Sequence, residues 1–260
     1  MQFAVCCVPV SPMRAEPSHR SEMVSELIFG ECCEILERGK DKWIKVQCRY
    51  DGYEGWCHEM HVTAIDEEIY HSDTNALTEE WINPIEYNGH PMMVPLGSML
   101  TAMKNGNALW RKNTIHFSGK TWEIHHSKKD IKALRHLAFQ FLNTAYLWGG
   151  KTVFGTDCSG YTQTVFRFFD IPLLRDAWQQ ATQGEVVGFL QEARCGDLAF
   201  FDNDEGRITH VGILLNEFEI IHASGKVRVD KIDSQGILNS EISERTHKLR
   251  IIKRVMTDGR

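Results

Sequence analysis

One cysteine, Cys158, lies where the sequence favours a reactive thiol. A glycine-rich segment precedes it, and an apolar run from Tyr161 to Phe169 follows it. Thr156 or Asp157 is a good helix N-cap, so we expect Cys158 in the first turn of a helix. Because the positive end of a helix dipole favours the thiolate over the thiol, this position suits a nucleophile.

Two histidines could supply the base that a cysteine nucleophile needs. His210 begins a very apolar strand, and His222 lies on the strand that follows it after a short turn. Strands joined in this way pair with each other, so the two rings can come within reach. In such a pair His222 fixes which ring nitrogen of His210 faces the sulfur. The set Cys158, His210 and His222 therefore predicts nucleophilic catalysis by a thiol.

The predicted secondary structure changes near residue 127, where helices begin that must position this set. The apolar residues between Ile131 and Leu142 fall on one helical face, and the Cys158 helix should end at Ile171-Pro172. Strands follow from Asp197 onward. Helices followed by an antiparallel sheet predict an α+β domain over residues 127–260.

The first 126 residues predict β structure. Residues 1–65 contain short strands with turn signals such as Asp51-Gly52, as in a small barrel, and residues 13–26 are polar and loop-like. Residues 66–126 start as an acidic linker and continue as a second β-module. The sequence thus predicts three parts, 1–65, 66–126 and 127–260.

Charge and hydropathy exclude several classes of partner. The net charge is −6 at pH 7 without a run of like charges, which argues against nucleic acid or an anionic membrane. No apolar stretch is long enough to span a bilayer, and the N-terminus lacks the basic residues of a signal peptide. We therefore expect a cytoplasmic protein, or a periplasmic or secreted one if the sequence is a mature form.

The eight cysteines do not predict a metal or disulfide framework. They contain no C-x-x-C pair, and the group Cys57, His58 and His61 has no matching set of ligands elsewhere. We expect buried, reduced thiols outside position 158, and neither a metal nor another cofactor.

The motifs around the candidate residues resemble the NlpC/P60 family of cysteine peptidases. They are, in the family's order, Thr156-Asp157-Cys158-Ser159-Gly160, Gly196-Asp197-Leu198, His210-Val211-Gly212-Ile213 and Ile221-His222-Ala223-Ser224-Gly225. The resemblance implies a papain-like α+β catalytic domain that hydrolyses bacterial cell-wall peptides. It also implies that Cys158 is the nucleophile, His210 the base and acid, and His222 the orienting residue.

The N-terminal half resembles bacterial SH3 (SH3b) domains. The first module carries Trp43-Ile44-Lys45-Val46 and Asp51-Gly52-Tyr53-Glu54-Gly55-Trp56, and residues 66–126 resemble a second, divergent copy. The whole chain therefore looks like a papain-like NlpC/P60 domain preceded by two small all-β SH3b-like barrels.

This arrangement resembles the subgroup that cleaves γ-D-glutamyl-L-diamino acid bonds in murein peptides with a free N-terminal L-alanine. Such peptides are L-Ala-γ-D-Glu-L-Lys and its diaminopimelate version, and their cleavage belongs to cell-wall peptide recycling. The resemblance implies that Asp157 holds the substrate ammonium and that Ser159, Tyr146 and Trp148 line the site. It also implies that a tyrosine of the first module closes the pocket, and we assign Tyr53 to this role, with Tyr50 nearby.

Two other functions stay open on the sequence alone. A secreted hydrolase of intact peptidoglycan would use the SH3b-like modules as anchors, whereas a non-enzymatic protein would bind through their grooves. The complete set of Cys158, His210 and His222 argues against the second. A thiolate that reacts well below the ordinary cysteine pKa of about 8.5 would favour an enzyme. The sequence indicates neither the preferred diamino acid nor the oligomeric state.

Overall fold

Two compact units make up the chain. The structure, a computed structural model, describes residues 2–73, 76–124 and 130–256. The first unit comprises Met1–His126 and Trp148–Val153, and the second comprises Ser127–Leu147 and Phe154–Arg260. The predicted boundary between residues 126 and 127 lies outside the described residues. In the described ranges, no helix is long and apolar enough to cross a bilayer.

A seven-stranded antiparallel sheet begins the first unit, in the order β3-β2-β6-β5-β4-β1-β7. Its strands are β1 (Gln2–Cys6), β2 (Val10–Arg14), β3 (Met23–Ile28), β4 (Cys32–Arg38), β5 (Trp43–Cys48), β6 (Glu54–His58) and β7 (Val62–Ala64). A short 3-10 helix, Glu59–His61, precedes β7. The loop predicted over residues 13–26 is wrong at both ends, because β2 and β3 pair there and bury the polar residues Ser25 and Glu26.

Smaller sheets follow in the same unit. The elements are α1 (Glu67–His71), β8 (Ala76–Thr78), β9 (Ile82–Tyr87), β10 (His90–Pro95), β11 (Asn107–Trp110), β12 (Asn113–His116) and β13 (Thr121–Glu123). Strands β10-β9-β12-β11 form an antiparallel sheet, and β13 pairs with β8. The rings of Phe29 and Trp110 pack 5.2 Å apart in a core that both sheets share. The first unit is therefore one packed body.

The segment Trp148–Val153 belongs to this body and contains β14 (Lys151–Thr152). Lys151 Nζ donates to both carboxylate oxygens of Glu31, at 3.0 and 3.1 Å, and the two side chains are 1% and 0% exposed. The Lys151 N–H also donates to Glu26 Oε2 at 2.8 Å. A fully buried ion pair therefore fixes the segment that precedes the Cys158 helix.

The second unit combines helices with a seven-stranded antiparallel sheet, in the order β16-β22-β17-β18-β19-β20-β21, and β22 also pairs with β21. Its elements are α2 (Ile131–Gln140), β15 (Gly155–Thr156), α3 (Cys158–Arg167), α4 (Ala177–Gln180), β16 (Glu185–Val187), a 3-10 helix (Leu190–Glu192), β17 (Leu198–Asp202), β18 (Ile208–Leu214), β19 (Glu219–Ser224), β20 (Lys226–Asp233), β21 (Gly236–Asn239) and β22 (Glu244–Arg254). Every residue of α3 is buried, and this helix packs against β18 and β19. The sheet therefore presents its central strands to the helix that carries the cysteine.

Candidate active site

Cys158 is the first residue of α3, as the capping pattern predicts. Asp157 is the N-cap, and its Oδ1 accepts the Gly160 N–H at 2.7 Å. The backbone of Val211 hydrogen-bonds the Cys158 sulfur, so the thiol lies against the residue that follows His210. The packing of α3 on β18 therefore brings the predicted nucleophile to the strand of the predicted base.

The thiol of Cys158 rests protonated. Burial raises its pKa to about 12 and the charge of Asp157 adds to the rise, while backbone hydrogen bonds from Val211 and Ser159 and the charge of Arg175 only oppose it. The predicted preference for the thiolate is therefore wrong, because desolvation outweighs the helix dipole. A thiolate forms at this position only when a base takes the proton.

Alkylation of Cys158 by iodoacetamide should accordingly be slow near neutral pH. Because only the thiolate reacts and the pKa of Cys158 is about 12, its rate should keep rising above pH 9. Mass spectrometry of timed reactions across pH gives the rate at this residue alone. A short unstructured peptide with one cysteine in the same tube is the control, since its rate should level off above the ordinary cysteine pKa of about 8.5. A Cys158 rate that levels off below pH 8 would contradict the protonated resting state.

His210 and His222 lie in hydrogen-bond contact, with 2.8 Å between His210 Nε2 and His222 Nδ1. Gly212, not His210, is directly opposite His222, so the two histidines are diagonal neighbours on β18 and β19. A Cβ at position 212 would lie 2.7 Å from the His222 Cβ. The glycine after His210-Val211 therefore leaves the space that the His222 side chain occupies.

Both histidine rings are neutral at rest. Burial lowers the pKa of His210 well below its ordinary value, with further lowering by His222 and His247. Burial also lowers the pKa of His222, although Asp230 partly offsets it. A neutral imidazole is the form that accepts a proton from a thiol. At rest the predicted nucleophile is therefore a neutral thiol and the predicted base a neutral imidazole.

A third histidine, His247, completes the cluster and was not predicted. Its ring stacks on that of His210 with centroids 4.1 Å apart and an interplanar angle of 29°. Burial, followed by the effect of His222, lowers the pKa of His247 to about 4, so it is neutral near pH 7. His247 lies on β22 opposite Ile237 of β21, a pairing that no local sequence signal indicates. The ring restrains His210 without adding charge.

A buried arginine, Arg175, holds Asp157 and Ser159 and was also missed. Its Nη1 and Nη2 donate to the two oxygens of Asp157 at 3.0 and 2.6 Å, and Nη1 donates to Ser159 Oγ at 3.0 Å. This bidentate pair balances the charge of Asp157 beside Cys158. Tyr146 is half-buried in the same unit, and burial, then the charges of Cys158 and Asp157, raise its pKa above the ordinary value.

The other two predicted substrate residues belong to the first unit. Trp148 is 60% exposed, and its Nε1 donates to Glu22 Oε1 at 2.7 Å. Tyr53 is half-buried beside the β5–β6 turn, where its N–H donates to Asp51 Oδ1 at 3.0 Å. Their part in substrate binding stays a prediction.

Comparison with known families identifies two domains. Residues 143–246 match the NlpC/P60 family, and residues 13–62 match the bacterial dipeptidyl-peptidase Sh3 domain. The chain therefore carries an NlpC/P60 domain and a bacterial SH3 domain, as the motifs indicate. An NlpC/P60 domain with this cysteine and these histidines indicates a cysteine-type hydrolase.

Individual relatives are similar over most of the chain. The chain is 25% identical to a γ-D-glutamyl-L-lysine dipeptidyl-peptidase of Bacillus cereus over 88% of this chain and 77% of the relative. It is 24% identical to dipeptidyl-peptidase 6 of Lysinibacillus sphaericus over 89% of this chain and 92% of the relative. The crystal structure of a Bacillus cereus NlpC/P60 family protein superposes with a TM-score of 0.81 at 17% identity, covering 98% of this chain and all of that one. That superposition shows a shared fold.

Proposed function

We propose that this protein is a cysteine endopeptidase that hydrolyses the γ-D-glutamyl-L-diamino acid bond of murein peptides with a free N-terminal L-alanine. The observation that carries the proposal is the extent of the similarity to two dipeptidyl-peptidases. It runs over 88% and 89% of this chain, which includes the SH3 region as well as the NlpC/P60 domain. The product would be the dipeptide L-Ala-γ-D-Glu, and the role would be peptide recycling in the cytoplasm.

The arrangement of the site supports acyl transfer through a thioester. His210 takes the proton of Cys158 as the sulfur attacks the γ-carbonyl carbon, and it then gives that proton to the leaving amine. Water, activated by the same ring, cleaves the thioester and restores the thiol. Backbone N–H groups at the start of α3 are the natural donors to the tetrahedral oxyanion. His222 keeps the ring of His210 oriented through their 2.8 Å contact.

Asp157 remains our choice for the group that receives the substrate ammonium, since it adjoins the nucleophile. Its charge is already balanced by Arg175 through contacts of 3.0 and 2.6 Å. We therefore expect it to select the ammonium by hydrogen bonding within a fixed group that includes Ser159, rather than as an uncompensated charge. Tyr146, Trp148 and Tyr53 complete the proposed substrate contacts.

We also propose the finer architecture that the sequence predicts. Residues 66–126 would be a divergent second SH3b-like module, and residues 127–260 a papain-like α+β catalytic domain. The small antiparallel sheets of β8–β13 support the first assignment, and the packing of α3 on the antiparallel sheet of the second unit supports the second.

A comparison of free and blocked peptides tests the substrate assignment. Turnover of L-Ala-γ-D-Glu-L-Lys, followed by chromatography of the released dipeptide, should fall at least about tenfold when its amine is acetylated. The physical reason is that acetylation removes the charge of the amine and two of its three N–H donors. The proposed acceptor, the buried carboxylate of Asp157, then lacks hydrogen bonds that the free ammonium would supply.

The Asp157→Asn variant is the matched control, because it should reduce the difference between the two peptides. Equal cleavage of free and acetylated peptides by the unchanged protein would contradict the assignment. Release of peptides from intact wall material, without cleavage of the free peptides, would instead favour the peptidoglycan hydrolase. The absence of cleavage in both assays would favour a binding protein.

A further inference from the structure

A buried carboxylate lies directly behind the two histidines of the site. Asp230 Oδ2 is 3.0 Å from His222 Nε2, and both side chains are 1% exposed. The opposite nitrogen of the same ring, His222 Nδ1, is 2.8 Å from His210 Nε2. The three side chains thus form one continuous hydrogen-bonded line inside the second unit.

The strand register explains why these side chains line up. Gly212 of β18 and Arg228 of β20 lie opposite His222 on its two neighbouring strands. His210 is two residues before Gly212, and Asp230 is two residues after Arg228. Because residues two apart in a strand share a face, His210 and Asp230 lie on the face of His222 as its diagonal neighbours. The line crosses three adjacent strands.

Asp230 is held as an anion by its other contacts. Ser240 N–H donates to Asp230 Oδ1 at 2.8 Å, Arg228 Nη2 donates to the same oxygen at 3.1 Å, and Arg228 Nε lies 2.8 Å from Oδ2. Burial alone would raise the pKa of Asp230, but hydrogen bonds from His222, Ser240 and Arg228 outweigh it and hold the pKa below its ordinary value. An ionised carboxylate only accepts hydrogen bonds, so the proton in the contact belongs to His222 Nε2.

One protonation pattern follows along the line. A neutral His222 with its proton on Nε2 has a lone pair on Nδ1, so His210 Nε2 donates to it across 2.8 Å. A neutral His210 with its proton on Nε2 has its lone pair on Nδ1, and that nitrogen is left to receive the proton of Cys158. We propose, on the basis of the function proposed above, that Asp230 is a positioning residue that selects this tautomer of both histidines.

The step that Asp230 supports moves a proton and no electrons between residues. The proton leaves the Cys158 sulfur for His210 Nδ1 as the sulfur bonds to the carbonyl carbon, and His210 becomes an imidazolium. The Asp230 anion stabilises that positive charge through His222, in the way that an acidic third residue supports the histidine of a serine protease. Without the anion, His222 can place its proton on Nδ1 and force His210 into the wrong tautomer.

The tautomers can be measured without any substrate. Long-range proton–nitrogen NMR of the ¹⁵N-histidine-labelled full chain distinguishes a protonated from an unprotonated ring nitrogen. His222→Gln and His210→Gln variants assign the two signals. We expect both rings to carry the proton on Nε2 near pH 7. A His222 ring protonated at Nδ1 in the unchanged protein overturns the proposal, whatever the activity assay gives.

The Asp230→Asn variant tests the consequence for catalysis. We expect a mixture of His222 tautomers and a kcat lower by about 10- to 100-fold, the loss typical when a group that orients a metal-bound histidine is removed, with little change in KM. Asp233→Asn is the matched control, because Asp233 lies on the same strand and pairs with Arg245 at the surface, with a 49% exposed side chain. That variant should change neither tautomers nor kcat.

Each outcome separates the two proposals. A folded Asp230→Asn protein with unchanged tautomers and a kcat within about twofold of the original would overturn the role of Asp230. If the unchanged protein shows the expected tautomers but does not cleave the peptide, the proposed substrate fails while the protonation pattern stands. If Asp230→Asn does not fold, the spectrum of the unchanged protein still decides the pattern.

Discussion

Replacing Cys158 with alanine should lower the turnover of L-Ala-γ-D-Glu-L-Lys by about a millionfold, the order of loss when a catalytic triad loses its nucleophile. The loss should be this large because the variant removes the sulfur that forms the proposed thioester, while the buried helix around position 158 tolerates the smaller side chain. His210→Gln should lose nearly as much, since the protonated thiol needs that ring to become a nucleophile. Release of the dipeptide, followed by chromatography, measures all three proteins.

The combination of the two changes gives a sharper test than either alone. The effects of mutations at residues that act together in catalysis do not add. The Cys158→Ala, His210→Gln double variant should therefore be no slower than Cys158→Ala alone. Cys195→Ala is the control, because Cys195 is a half-exposed cysteine of the same unit and should be dispensable. More than about one per cent of the original activity in Cys158→Ala would show that another group performs the reaction.

Replacing Lys151 with methionine should destabilise the first unit by about 3–5 kcal/mol, the typical result of breaking a buried ion pair. The variant leaves the carboxylate of Glu31, which is 0% exposed, without the ammonium that now contacts both of its oxygens. Urea unfolding of the full chain, followed by tryptophan fluorescence, gives the change in the free energy of unfolding.

Two further variants separate this effect from a general loss of packing. Lys151→Met with Glu31→Gln should recover part of the stability, because the glutamine is uncharged and its oxygen can still accept the Ile28 N–H at the place of Glu31. Lys120→Met, which breaks the exposed pair with Glu80, should leave the unfolding transition unchanged. Equal urea midpoints for Lys151→Met and Lys120→Met would contradict the claim that burial makes the Lys151–Glu31 pair important for stability.

The sequence points to Cys158, His210 and His222 as the candidate catalytic set because each carries a local signal. Asp157 caps a helix at Cys158, and two apolar strands joined by a short turn place His210 near His222. Family motifs strengthen these signals, and the matches to the NlpC/P60 and bacterial SH3 models confirm the resemblance. Even so, the sequence does not predict the protonated thiol, because burial depends on the whole packing around α3.

The residues that sequence reasoning misses are those whose contacts depend on strand register and on the packing of the domain. His247 lies on β22, which is separated from the His210 strand β18 only by β17, and its ring stacks on that of His210. Asp230 reaches His222 through the pairing of β20 with β19. Arg175 reaches Asp157 from a segment between helices. Each looks like an ordinary surface charge or polar residue in its own stretch of sequence. The contacts of His247 and Asp230 emerge only when the register of the sheet is known.

The path of the chain between the two units limits how its domains can be exchanged with those of other proteins. Residues 143–246 match one family, yet Trp148–Val153 within that range belongs to the first unit and is fixed there by Lys151 and Glu31. A chain cut before residue 127 would keep Lys151 and lose Glu31, the carboxylate that pairs with it. We therefore expect that a gene fusion that transfers the NlpC/P60 domain must also include the SH3 region that contains Glu31.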